Sequence, residues 1–107
     1  MTPPIQTAAD ANPTLEQLKA KAFPVLSAYG IRRAGFIGSR ARGDHAPDSD
    51  LDIMVEFPHD GKYSLFDLIE LQDALEKAVG LSVHVVEYDN PNKQFLARAL
   101  PDEVAIF

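Results

Sequence analysis

The 107-residue sequence contains no cysteine. That excludes disulfides and zinc–thiolate centres. It also lacks any apolar run near the roughly 20 residues a membrane-spanning helix needs, so no membrane association is expected. The opening stretch MTPPIQTAADANPT has neither the basic nor the apolar region of a signal peptide, which makes a cytoplasmic location the default expectation. A basic surplus is missing as well. The formal net charge is −6, which argues against direct binding of nucleic acid, since that requires a basic face. What is present is a 46% hydrophobic composition, enough for a core, in a length that suits one domain.

The four arginines Arg32, Arg33, Arg40 and Arg42 fall within eleven residues. An acidic chain with one local basic cluster suits a small anionic ligand better than a long polyanion. Arg32 and Arg33 read as solvated strand-edge charges rather than as contacts to an acidic partner.

Residues 1–13 hold three prolines and little periodicity, and read as a flexible tail before a single domain over 14–107. Asn12 and Thr14 are both candidate N-caps. With Thr14 as cap, Gln17 completes a capping box. The spacing of Leu15, Leu18, Ala22, Val25, Leu26 and Tyr29 predicts a helix over 14–28, kinked or split by Pro24 and closed by Gly30.

Strands are expected at Ile31–Ile37, Leu51–Phe57 and Ser82–Glu87, with a short edge strand at Val104–Phe107. Ser39–Gly43 reads as one turn of helix, and Pro58, Asp60 and Gly61 as a turn. Ser64 caps a helix whose inner face is Leu65, Leu68, Ile69, Leu71, Leu75 and Val79, ending at Gly80. A last helix spans 93–100, with Phe95, Leu96 and Leu100 inward. Tyr63, Phe66 and Phe57 read as core or interface residues. The result is an α+β (mixed α/β) domain: a mixed sheet of three to four strands flanked by helices.

The informative stretch is GSRARGDHAPDSDLDIMVEF, residues 38–57. Asp50 and Asp52 project from one face of a strand, because strand side chains alternate. Two carboxylates so placed repel, and burying either without a counter-charge is costly. An isolated Asp-x-Asp has a bland explanation: a turn cap and an arginine partner. A divalent cation is the other resolution, and Mg²⁺ favours one or two carboxylates completed by phosphates and water.

The residues upstream favour the cation. Gly38 lets the backbone approach a ligand closely. Amides at a helix start attract phosphate, and the Ser39 hydroxyl adds a donor. Arg40 and Arg42 bring positive charge beside them. Asp44 and His45 in the intervening loop are adequately explained by turn chemistry, and Asp48 is expected outside any metal shell.

Gly38-Ser39-Arg40-Ala41-Arg42-Gly43, followed by Ser49-Asp50-Leu51-Asp52-Ile53-Met54-Val55, resembles the nucleotidyltransferases of the DNA polymerase β superfamily. The size is most like the minimal, MntA-type antitoxins, and the resemblance covers about residues 14 to 107. It implies that Gly38 and Ser39 hold the triphosphate of ATP and that Asp50 and Asp52 bind Mg²⁺ as catalytic acids. It also implies a HEPN-domain ribonuclease toxin as partner, neutralised by transfer of AMP to a tyrosine.

The sequence departs from the family at one place. The family's third acid sits on a later strand in a Val-Asp-x-Val pattern, and here the stretch is Val83-His84-Val85-Val86. Imidazole is a poor ligand for Mg²⁺ and suits Mn²⁺ better, yet it is a competent general base. A bystander on an edge strand is the plain alternative. Three readings stay open: a transferase with His84 in a catalytic role, a slow or metal-shifted enzyme, and a nucleotide-binding protein that neutralises its partner by binding alone. A small-molecule nucleotidyltransferase is a further possibility, although that class carries an extra helical domain.

Overall fold

Local signals at the helix ends explain most of the chain path. In a computed structural model, residues 13–58 and 64–107 are described. The expected tail (all but Pro13), the alternative cap Asn12, the turn residues Asp60 and Gly61, and Tyr63 lie outside the described residues. Thr14 caps helix α1 (Leu15–Ala28) through a reciprocal box with Gln17. Gly30 closes it with φ of 71°. The Gly30 amide donates to the Ser27 carbonyl and the Ile31 amide to that of Leu26, a Schellman arrangement.

Pro24 does not split α1, one of the two outcomes expected of it. Proline removes the hydrogen bond to the carbonyl of Ala20, but both residues are exposed, so water can satisfy that oxygen.

Strand β1 (Arg33–Ile37) runs into helix α2 (Gly38–Arg42), and a loop returns the chain to strand β2 (Leu51–Glu56). Helix α3 (Leu65–Val79) crosses over to strand β3 (Val83–Glu87). Helix α4 (Lys93–Ala99), a 3₁₀ turn (Leu100–Asp102) and strand β4 (Val104–Ala105) follow. The sheet order is β3-β2-β1-β4, with β2 and β3 parallel and the other pairs antiparallel. This is the mixed four-stranded sheet with flanking helices that the pattern implied. No helix among the described residues is long and apolar enough to cross a membrane.

The two faces of the sheet differ. Ala34, Phe36, Leu51, Ile53, Val55, Val83 and Val85 form the main core with Leu18, Ala22 and Leu26 of α1 and Leu71, Leu75 and Val79 of α3. On the other face Ile37, Met54 and Val86 make a smaller cluster with Leu96 of α4. That thinner cover leaves the opening end of β2 reachable from solvent.

Three expected inward residues are not inside. Leu65 and Ile69 are 69% and 54% exposed, and Leu100 is also exposed. The buried stripe of α3 is Leu71, Leu75 and Val79, with Leu68 partly covered; Leu65 and Ile69 are rotated off it. Leu100 belongs to the 3₁₀ turn rather than to α4, so its side chain leaves the helical stripe. Phe66 is exposed too, whereas Phe57 is buried as expected.

Arg33 is not a merely solvated charge. Its guanidinium lies 4.0 Å from the centre of the Tyr88 ring and 3.4 Å from Glu103 Oε1. The Tyr88 hydroxyl donates to Glu103 Oε2. Glu103 lies over Gly35, where a Cβ would collide with its carboxylate. This cluster ties β1 to the end of β3 and to the residues leading into β4.

Burial and the hydrogen bond to Glu103 push the Tyr88 phenol well above its ordinary value. A raised folded value means stability is complete below the unfolded value, about 10, and declines as pH rises beyond it. Urea midpoints should therefore fall above about pH 10, and the Tyr88→Phe variant should show a shallower fall.

Candidate active site

Pairing register assembles the site. Ile37 of β1 pairs with Asp52 of β2, and Asp52 pairs with His84 of β3. Paired residues share a face, so these three form one row across the sheet. Gly38 follows Ile37 with φ of 78°, a left-handed conformation natural to glycine. A Cβ on Gly38 would collide with the Asp52 carboxylate. The absent side chain is thus what lets the β1–α2 turn press against the acid. Ser39 is half-buried beside it.

Asp52 is 31% exposed, and His84, on the outer strand, is 66% exposed. His84 Nδ1 lies 3.7 Å from Asp52 Oδ1. Burial pushes the Asp52 carboxyl above its ordinary range, His84 and Arg42 oppose this, and the Asp50 charge adds to it. Asp50 is exposed just before β2, near enough for its repulsion to register on Asp52. This is the like-charge strain that the alternation of the two acids implied.

The two conspicuous arginines have separate fates. Arg42 is exposed, with Nε 3.0 Å from Asp44 and Nη1 3.5 Å from Asp102. Its charge also reaches Asp52. Arg40 differs from the expected phosphate contact. It is 2% exposed, its Nε donates to the Ser49 carbonyl at 3.0 Å and its Nη2 to the Pro47 carbonyl at 3.0 Å.

Burial turns Arg40 inward because the loop carbonyls need donors and the planar guanidinium serves two at once. The Ser49 hydroxyl accepts from the Ala46 amide, closing the same loop. Arg40 therefore fixes the turn that delivers Asp50. A long charged side chain beside a phosphate-type turn looks the same in sequence whether it faces out or in.

Asp50 and Asp52 fit Mg²⁺ or Mn²⁺: both offer carboxylate oxygens, and Gly38 keeps the adjoining main chain close. Among the described residues no three His, Cys, Asp or Glu side chains are grouped to hold a metal by themselves. The pair thus suits an ion that shares its coordination with phosphate oxygens and water.

A glycine turn pressed on one strand-borne acid, with a second acid two residues before it, is the arrangement of a nucleotide-transfer fold. Residues 21–105 match the family described as "Nucleotidyltransferase domain", and the chain belongs to that family. The provisionally named protein adenylyltransferase MJ0435 of Methanocaldococcus jannaschii is 37% identical over 92 residues, covering 86% of this chain and 97% of that protein. Protein adenylyltransferase MntA of Thermococcus cleftensis is 43% identical over 58 residues, 54% of this chain and 57% of that protein.

Among solved structures, a minimal nucleotidyltransferase superposes with a TM-score of 0.71 at 32% identity, covering 86% of this chain and 95% of that one. A toxin–antitoxin crystal structure with AMP-PNP shares the fold, with a TM-score of 0.72 at 18% identity over 83% of this chain and 72% of that chain.

Two outcomes follow. Arg40→Lys should lower the unfolding free energy by about 2 kcal/mol and weaken Mg²⁺-ATP binding in calorimetry, although Arg40 is turned away from the site. Asp52→Asn should raise the urea midpoint of the metal-free protein at neutral pH. The sign follows from the raised Asp52 value: its favourable contribution is complete below the ordinary carboxylate range and lost as pH rises through the folded value.

Proposed function

We propose that this protein transfers AMP from ATP to a tyrosine of a HEPN-type ribonuclease toxin and serves as its antitoxin. The observation that carries this reading is the row Ile37–Asp52–His84 with Gly38 against Asp52. Support for a protein acceptor comes from the relatives named protein adenylyltransferases. Support for the toxin setting comes from the toxin–antitoxin neighbour with AMP-PNP.

On this reading the Gly38 and Ser39 main chain and the Ser39 hydroxyl hold the triphosphate. Arg42 exchanges Asp44 and Asp102 for a phosphate oxygen. Asp50 and Asp52 would hold Mg²⁺ together with the phosphates. When bound, that ion neutralises charge on the phosphoryl oxygens.

The tyrosine oxygen forms a bond to the α-phosphorus, and the bond from that phosphorus to the bridging oxygen of the β-phosphate breaks. Pyrophosphate leaves with the bond electrons. His84 turns Nδ1 toward Asp52, leaving Nε2 to take the phenolic proton. Imidazole is a competent general base.

A second reading is favoured by one observation: His84 occupies the register position opposite Asp52 where the family has an acid. There the protein binds nucleotide and neutralises its partner by occupation alone.

Intact-mass spectrometry of the co-purified partner with ATP and Mg²⁺ or Mn²⁺ separates the two. Native protein should add AMP, and Asp52→Asn should slow the addition by at least about 100-fold. No addition by native protein, with addition restored in His84→Asp, would transfer the function to binding.

A further inference from the structure

An in-line displacement places the attacking and leaving oxygens on opposite sides of the reacting phosphorus. Strand order makes this directional. The phosphate-holding turn Gly38–Ser39 lies at the end of β1, Asp52 is on β2, and His84 is on β3. The turn and His84 therefore flank Asp52 from opposite sides. With pyrophosphate held at the turn, the attacking hydroxyl arrives from the His84 side.

On that side there is a groove of about 300 Å³, lined by His84, Val85, Leu68, Asn90, Asn92 and Phe95 among others. Leu68 of α3 and Phe95 of α4 supply apolar walls, both only partly buried. The Asn92 side-chain oxygen accepts from the Phe95 amide, and that of Asn90 from the Asn92 amide. Each asparagine thus has its NH₂ group as the donor it can offer. Glu87 also lines the groove, so an anionic ligand such as a second phosphate suits it poorly. An apolar slot with amide donors matches an aromatic side chain whose main-chain carbonyls need partners.

The surroundings indicate a polypeptide. Leu65, Ile69, Gln72 and Glu76 recur along one side of α3 at i, i+4, i+7 and i+11. Gln72 and Glu76 accept from the outward amides of Val85 and Val83 on β3. That side of α3 therefore runs beside the β3 edge, and Leu65 and Ile69 continue it past Gln72 as an exposed apolar rim. A free small molecule has no use for such a rim. A strand cannot add to β3 where Gln72 and Glu76 already occupy its amides, so a partner enters side chain first.

We propose that the groove between α3 and α4 is the acceptor subsite. In it one aromatic hydroxyl side chain of a protein lies between Leu68 and Phe95, while flanking residues rest on Leu65 and Ile69. This rests on the AMP-transfer reading for its direction of approach. The hydroxyl oxygen bonds to the α-phosphorus, its proton goes to His84, and pyrophosphate departs at the Gly38–Ser39 side.

The test is an NMR titration of the ¹⁵N-labelled full chain, loaded with Mg²⁺ and a non-hydrolysable α,β-methylene ATP, with N-acetyl-tyrosinamide as probe. Shifts should concentrate at Leu68, Val85, Asn90 and Phe95, and Phe95→Leu should weaken binding about tenfold or less, Phe95→Ala by more. Ile69→Asp, an exposed change, should leave tyrosinamide binding intact while raising KM for the protein acceptor at least about tenfold.

Tyrosinamide seated in the groove but never receiving AMP from ATP would uphold the groove and sink the transfer reading. Transfer to tyrosinamide with silent groove amides and an unaffected Phe95→Ala would sink the groove and uphold transfer. A dimer in sedimentation that Ile69→Asp dissociates would give the rim to a second copy and overturn its assignment.

Discussion

Everything at this site depends on one steric fact: the main chain at Gly38 lies where a side chain would strike the Asp52 carboxylate. The antiparallel pairing of Ile37 with Asp52 brings the end of β1 level with the start of β2. Without a Cβ, the two can touch. An acid whose charged form burial disfavours is thereby brought against the glycine turn at the start of α2. The partly buried Asp52 carboxyl, pushed above its ordinary range by burial, thus lies directly against the β1–α2 turn.

The second determinant is Arg40. Asp50 precedes β2 and has no strand ladder of its own to hold it. The buried guanidinium supplies what the ladder does not, bonding two loop carbonyls at once. The cluster of four arginines thus divides its labour. Arg40 builds the loop, Arg42 stands exposed near the acids, and Arg33 fastens Tyr88 and Glu103 on the same face of the sheet, toward the other end of β1.

Much of this was legible in the sequence. A capping box at Thr14, a cap at Ser64, glycines at 30 and 80, and the apolar strand runs placed the elements to within a residue or two. The two-part Gly-Ser and Asp-x-Asp pattern marked the candidate site, and the identity of His84 marked where the sequence departs from the family. What was not legible depended on tertiary direction. Arg40 reads as a ligand because sequence does not say which way a side chain turns. Leu65 and Ile69 read as core because an apolar residue one position off a helical stripe looks the same as one on it. Pro24 reads as a kink or a split, and that the helix stays whole depends on its exposure, which makes the lost bond tolerable and is a property of packing. Glu103 and Tyr88, fifteen residues apart, meet only once the chain has returned to the sheet.

The side chains of Gln72 and Glu76 also govern how the protein behaves in company. Val83–Glu87 holds three valines in five residues and has no strand paired on its outer side, the kind of edge that can pair with a further strand. A helix amide and a helix carboxylate occupy two of its outward donors. The tendency to self-template is thus held down by α3 rather than by the strand's own residues. Colloidal stability in a crowded solution depends on that helix staying in place.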